Sequence, residues 1–240
     1  LISTACVVIV RVSQNFDSIP LCGGAGPVRL RLFAWFMARC GKSTDQYLGG
    51  YKRRLFSALS GTVLEIGAGA GANLQYLQAA GLTWIGVDPN PFMQPHFTRE
   101  AKRLGLNIEL RRGVAEELPA ADESVDAVIG TLVLCSVRDQ RRALAEILRV
   151  LKPGGKFLFI EHVAAPPGTR LRKLQMLVKP VWRRLGDGCH TDRETRAMLE
   201  KAGFASLEIE EFDTPLPVVR PHIAGTAIKA ASHRRETAVV

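Results

Sequence analysis

No stretch of this 240-residue chain comes near the roughly 18–20 consecutive apolar residues that a membrane-spanning helix needs; the longest attempts are residues 5–10 and 32–38. Acids are scarce beside bases, 23 against 32, for a net charge of +9. Excess base invites an anionic partner, whether nucleic acid, phospholipid or an acidic cofactor. No helix-turn-helix, zinc-finger or RNP aromatic pattern accompanies the charge, so no nucleic-acid partner is expected. Cysteines are few and odd in number: Cys6, Cys22, Cys40, Cys135 and Cys189, with no Cys-x-x-Cys pair. Neither a disulfide framework nor a metal site follows from that spacing, and a reducing intracellular compartment, cytoplasmic or organellar, fits it best. No internal repeat is present. What remains, 47% apolar and 23% charged residues, is enough for one sizeable core in a single domain.

The basic residues fall in two clusters. Seven lie between Arg29 and Arg54 against the single acid Asp45. The second cluster runs from Arg170 to Arg184, interleaved with Leu171, Leu174, Leu177, Val181, Trp182 and Leu185, as in an amphipathic helix broken at Pro180. Such a helix suits an anionic membrane surface or a lid over a pocket; the plainer alternative is a solvated face behind a buried stripe. Residues 1–40 are Arg-positive and acid-poor, which predicts a poorly ordered leader or organelle-targeting extension (plastid or mitochondrion). The folded domain is expected over 41–231, with 232–240 a tail.

The informative region begins at residues 62–67, Thr-Val-Leu-Glu-Ile-Gly, β-branched and apolar as a buried parallel strand should be. It runs into Gly67-Ala68-Gly69-Ala70-Gly71-Ala72, a helix expected over 74–80, and a second strand ending at Asp88. Gly67 and Gly69 permit a tight turn and close approach of a ligand to the backbone, and an acid about 20 residues on can accept both hydroxyls of a ribose. An adenosine-containing ligand follows. The glycines alone leave two choices, since Gly67-x-Gly69-x-x-Ala72 satisfies a loose dinucleotide fingerprint and Gly67-x-Gly69-x-Gly71 an S-adenosylmethionine turn. Further strands are expected at 108–112, 124–130 and 156–163. A helix is expected over 138–151 and another over 191–202, the latter opened by a Thr191-x-x-Glu194 capping box. A final antiparallel pair is expected at 207–212 and 222–230. The insertion 166–188 could cover an acceptor pocket.

The glycine turn, Val87-Asp88-Pro89-Asn90, Ala115-Glu116-Glu117-Leu118-Pro119 and Arg149-Val150-Leu151-Lys152-Pro153-Gly154-Gly155 occur in the order used by class I S-adenosylmethionine-dependent methyltransferases, which the chain resembles over 49–230. Four further segments look like the methyltransferase-like family that includes animal alkyl-thiol methyltransferases and plant relatives. These are residues 131–137, Glu161-His162-Val163-Ala164, Asp187-Gly188-Cys189 and Arg220-Pro221-His222-Ile223. Quinone-biosynthesis methyltransferases are a broader match, although an Asp common in them is replaced here by Val114. The resemblance implies a Rossmann-like, doubly wound α/β fold of seven strands, mostly parallel with an antiparallel last strand. It implies S-adenosylmethionine as cofactor and methylation of a small-molecule acceptor, a thiol first and a quinone-like or other lipophilic molecule as alternative. A non-catalytic S-adenosylmethionine-binding module is the rival of a different class.

By the same resemblance, Gly67, Gly69 and Gly71 pack against the methionine moiety and ribose, with Glu65 at its ammonium end. Asp88 takes the ribose hydroxyls, Pro89 and Asn90 the sugar edge, Ala115 and Glu116 the adenine, and Thr131 and Leu132 line the methyl-donor side. Glu116 could instead be an acid at a helix N-terminus, and Asp126 reads as structural. His162, at the end of the strand over 156–163, is the candidate catalytic base or substrate contact. Peripheral membrane contact through the basic amphipathic segments is a further expectation; the oligomeric state is not legible.

Overall fold

A computed structural model describes residues 10–12, 26–77 and 81–232. After a short strand β1 (Val10–Val12) come α1 (Pro27–Cys40), α2 (Asp45–Phe56), β2 (Thr62–Ile66), β3 (Thr83–Asp88), α3 (Gln94–Leu104), β4 (Ile108–Arg112) and β5 (Val125–Thr131). Then follow α4 (Gln140–Val150), β6 (Leu151–His162), α5 (Arg170–Leu185), α6 (Thr195–Glu200), β7 (Ser206–Asp213) and β8 (Pro221–Ile228). The sheet order is β1-β4-β3-β2-β5-β6-β8-β7. All pairings from β1 to β6 are parallel, and β8 is antiparallel to both β6 and β7. The seven expected strands are therefore present with an antiparallel last strand, and β1 adds an eighth at the edge.

Strand periodicity decides which residues meet which layer. On β2, Leu64 and Ile66 pack in a core with Leu144 and Ile147 of α4 and Leu199 of α6. Val63 faces the other layer, with Phe56 of α2 and Phe97 and Ala101 of α3. Glu65 shares the Val63 face by the same period, which turns a carboxylate toward α2 and into the protein. The chain lays down β2, β3 and β4 in one direction, then crosses to place β5 on the other side of β2. That reversal opens a crevice at the carboxyl ends of β2 and β5, the usual ligand position in such sheets.

Several local expectations change. Residues 27–40, expected within a disordered leader, form α1, opened by Pro27 at its first turn and anchored by buried Leu30 and Ala34. Residues 1–9 and 13–25 of the expected leader, and residues 233–240 of the tail, lie outside the described residues. The helix expected at 74–80 is reduced to a single tight turn, Leu74–Tyr76, with 78–80 outside the described residues. The 156–163 strand starts early: Val125 pairs with Leu151 and Ala127 with Lys156, so 152–155 bulge from one long strand. Thr191 does not cap a helix; its hydroxyl donates to the Gln175 carbonyl at 2.7 Å, and α6 begins at Thr195. Nor is α5 broken at Pro180, which sits inside a continuous helix.

Candidate active site

A cleft of about 930 Å³, counting its open mouth, lies at the crevice. Its floor is Glu65, the 67–70 turn, Asp88, Pro89, Asn90, Thr131 and Leu132, and a smaller adjoining pocket is lined by Gly67, Pro89, Ala115 and Glu116. Thus the sequence-predicted binding residues converge, with one exception: Gly71 does not line the cleft but shapes the turn behind it, at φ +85°.

The turn requires glycine at Gly67. Its φ is +64°, and a Cβ there would meet Val133 Cγ2 at 1.9 Å. Gly69 donates its N–H to Asp88 Oδ2 at 2.8 Å, and Asn90 N–H donates to Asp88 Oδ1 at 2.8 Å. One acceptor lone pair on each carboxylate oxygen remains, the right number for two vicinal hydroxyls. Burial raises the Asp88 pKa to about 6, and the Asn90 and Gly69 amides only partly offset it.

Glu65 is held on one side only. Asn73 Nδ2 donates to its Oε1 at 2.7 Å and to Thr131 Oγ1 at 3.1 Å. Glu65 Oε2 and Asn73 Oδ1 are buried acceptors without a partner in the protein. Burial pushes the Glu65 carboxyl up to about 8, against the Asn73 hydrogen bond and the charge of Lys52. Two orphaned acceptors facing a cleft fit a cationic group that brings hydrogen-bond donors. An amino-acid ammonium beside a ribose diol meets both this pair and Asp88, which is the donor pattern of S-adenosylmethionine.

Other expected contacts are already committed. The Asn90 side chain donates to the Leu30 carbonyl at 3.1 Å, which ties α1 to the sheet. Glu116 Oε1 accepts the N–H groups of Arg138 and Asp139 at 2.5 and 3.2 Å, just ahead of α4, so the helix-terminus alternative describes this oxygen. Asp126 pairs with Lys152 and accepts Thr62 N–H, a structural role as expected. His162 is not among the residues lining the cleft: it is buried, with Nε2 3.0 Å from Cys189 Sγ. That location removes the geometric ground for the expected catalytic base.

The cleft's other wall was foreseen only in part, through the insertion 166–188 that supplies Gly186 and Asp187. Phe33 and Met37 of α1, Lys52 of α2, Met93, Ser136, Gly186 and Asp187 all line it. Leu48, Lys52 and Phe56 share one buried face of α2, so a lysine in an apolar stripe was the available signal. Lys52 donates to Asp45 Oδ1 at 2.6 Å. Leu132 adopts φ +55°, an uncommon conformation for a branched residue. The following turn is pinned by buried Glu161, whose carboxylate accepts the amides of Val133 and Leu134 at 2.9 Å each.

A family model described as a methyltransferase domain matches residues 64–159. Thiol S-methyltransferase TMT1B of Rattus norvegicus is 37% identical over 238 residues, covering 93% of this chain and 96% of that protein. This chain belongs to the same methyltransferase family. Thiol S-methyltransferase TMT1A of Homo sapiens is 40% identical over 210 residues, 82% of this chain and 86% of that one. A solved [4+2]-cyclase, SpnF, shares the fold at 19% identity with a TM-score of 0.63, covering 78% of this chain and 81% of that chain. A shared fold therefore does not by itself specify methyl transfer; near-full-length relatedness to the thiol S-methyltransferases does. The chain is an S-adenosylmethionine-dependent methyltransferase acting on a small molecule.

Proposed function

We propose that the acceptor is the thiol of a small lipophilic molecule. The observation that carries this reading is the make-up of the second wall. Phe33, Met37, Leu132 and Val133 offer apolar surface, and no histidine, cysteine or tyrosine occurs among the described residues lining the cleft; of its other proton acceptors, Glu65 and Asp88 face the cofactor, Lys52 is paired with Asp45 and Asp187 with Arg29. An alcohol would need a base in reach, whereas a thiol of pKa about 8.5 is partly ionised near neutral pH and is a strong nucleophile without one. The two thiol S-methyltransferases above support the same choice.

When bound, S-adenosylmethionine supplies an electrophilic methyl group on a sulfonium. Asp88 holds the ribose, Glu65 and Asn73 the ammonium end, and Ala115 with the adjoining pocket the adenine. The Thr131–Leu132 bend and α1 set where the acceptor enters, and the apolar wall strips water from it. Orientation of two reactants in this way supplies a large share of a displacement's rate. The test is methyl transfer from labelled cofactor to an alkyl thiol and to the matching alcohol and quinol. Transfer to the thiol alone is expected; preferential transfer to the quinol would replace this reading with the quinone alternative.

We also propose that the wall-forming helices rest on an anionic lipid surface. No helix among the described residues is long and apolar enough to cross a membrane. Yet Val28, Leu32, Trp35 and Phe36 of α1 and Leu174, Leu177, Val181 and Leu185 of α5 turn apolar stripes outward. Arg29 joins the two helices, bonding the Arg184 carbonyl and pairing with Asp187 at 3.5 Å. Exposed Arg31, Arg39, Lys173 and Arg183 flank the stripes, which suits anionic headgroups. Pelleting with anionic vesicles at low salt but not with neutral ones is the expected result; no vesicle-dependent pelleting would remove the proposal.

A further inference from the structure

Three side chains separated by 27 residues each in the chain meet beneath the acceptor wall. Cys135 follows β5, His162 ends β6, and Cys189 lies in the turn after α5. Cys189 Sγ is 3.0 Å from His162 Nε2 and 3.6 Å from Cys135 Sγ, and the three donor atoms all lie within 4.8 Å of one another. Cys135 and His162 are buried and Cys189 half-buried.

We propose that Cys135, His162 and Cys189 bind one zinc ion, with water in the fourth position. Two sulfurs and one imidazole nitrogen form a zinc donor set. With bonds of about 2.3 Å to sulfur and 2.0–2.1 Å to nitrogen, tetrahedral donors sit about 3.5–3.8 Å apart. The Cys135–Cys189 pair is at that spacing already, the His162–Cys189 pair must open by about 0.5 Å, and the His162–Cys135 pair, within 4.8 Å, must close by no more than about 1.2 Å. Charge points the same way. Cys189 Sγ also faces the Trp182 Nε1–H at 3.3 Å, so donors crowd this sulfur as they would a thiolate. Two thiolates, a neutral imidazole and Zn²⁺ sum to zero, whereas buried thiolates without a cation would be costly. The neighbouring carboxylate of Glu161 is occupied by backbone amides and is not needed as a ligand.

The ion would clamp the turn after α5 to the sheet. Gly186 and Asp187, in that turn, line the cleft, and Ser136, whose Oγ is 3.6 Å from Cys135 Sγ, lines it too. Metal binding would thus set the shape of the acceptor wall from behind. This assignment does not depend on the identity of the acceptor.

The full chain, purified without a metal-binding tag, would be loaded with zinc chloride, gel-filtered and analysed for metal, with Co²⁺ titration alongside. About one zinc per chain is expected, with a thiolate-to-cobalt charge-transfer band and a Tm raised by several degrees. Cys189→Ser and His162→Ala should each weaken zinc binding at least tenfold. The combined Cys6→Ser, Cys22→Ser, Cys40→Ser variant should retain it. Because Cys135 is buried and its substitution puts the fold itself at risk, the cobalt spectrum of the unaltered chain serves as the independent measurement. No retained zinc and no charge-transfer band, or retention unchanged in Cys189→Ser, would overturn the site.

Discussion

The two walls of the cleft are built in different ways. Glu65, Asn73 and Asp88 lie within 24 residues of chain, on one strand–turn–strand unit, where Asn73 donates to Glu65 and the amide of Gly69 in the same turn donates to Asp88. The opposite wall draws on α1, the bend after β5 and the turn after α5, joined by long-range contacts such as Arg29 with Asp187. The first wall recognises polar groups in fixed positions; the second offers apolar area and access. A cofactor with constant chemistry suits the first, and a lipophilic acceptor suits the second.

The largest expected effect tests the first wall. Asp88→Ala removes the acceptor for the ribose and strands two backbone amides, so cofactor affinity should fall at least about 100-fold by calorimetry. Gly67→Ala comes next. Its Cβ would collide with Val133 at a left-handed position, so a loss of roughly 2–3 kcal/mol of stability is expected in denaturant unfolding, with weakened cofactor binding.

Glu65 gives a pH signature. Its carboxyl titrates near 8 without ligand, and a bound ammonium favours the ionised form. Affinity for the cofactor should therefore rise with pH, by at most about tenfold per unit, and level off above 8. Binding near pH 7 should release a proton, seen as a dependence of calorimetric enthalpy on buffer. In Glu65→Gln the slope and the release between pH 7 and 8 should largely vanish, leaving the weaker dependence of Asp88 near pH 6. The same raised carboxyl means the ligand-free protein binds the extra proton when folded. Its contribution to stability is full below the unfolded value of 4.5 and is lost as pH rises through about 8.

The smallest effect tests the second wall. Phe33→Ala should raise the KM for a lipophilic thiol severalfold and leave cofactor affinity unchanged, because Phe33 makes none of the polar contacts. Loss of cofactor binding in that variant would show that the walls do not divide the work.

The same division explains what could be read from the sequence. The strands, the glycine turn and Asp88 are local patterns, with spacing fixed by one βαβ unit, so 62–88 announces the fold and an adenosine-containing ligand, and the motifs after it single out S-adenosylmethionine. Asn73 was hidden because its role depends on the turn at 74–76 being short rather than a helix. Phe33 and Met37 were hidden because the compositional reading of 1–40 as a leader masked the short apolar stripe of α1. His162 illustrates a different failure. Its position at a strand's carboxyl end was read correctly, but which neighbours it meets is set by Cys135 and Cys189, 27 residues away on either side.

Paired calorimetric titrations of the purified chain with S-adenosylmethionine and with NADH test the central claim most directly, since both offer an adenosine to the glycine turn. The account predicts saturable binding of S-adenosylmethionine, weakened by Asp88→Ala and by Glu65→Gln, and none of NADH. Binding of NADH, or S-adenosylmethionine binding indifferent to both substitutions, would contradict it.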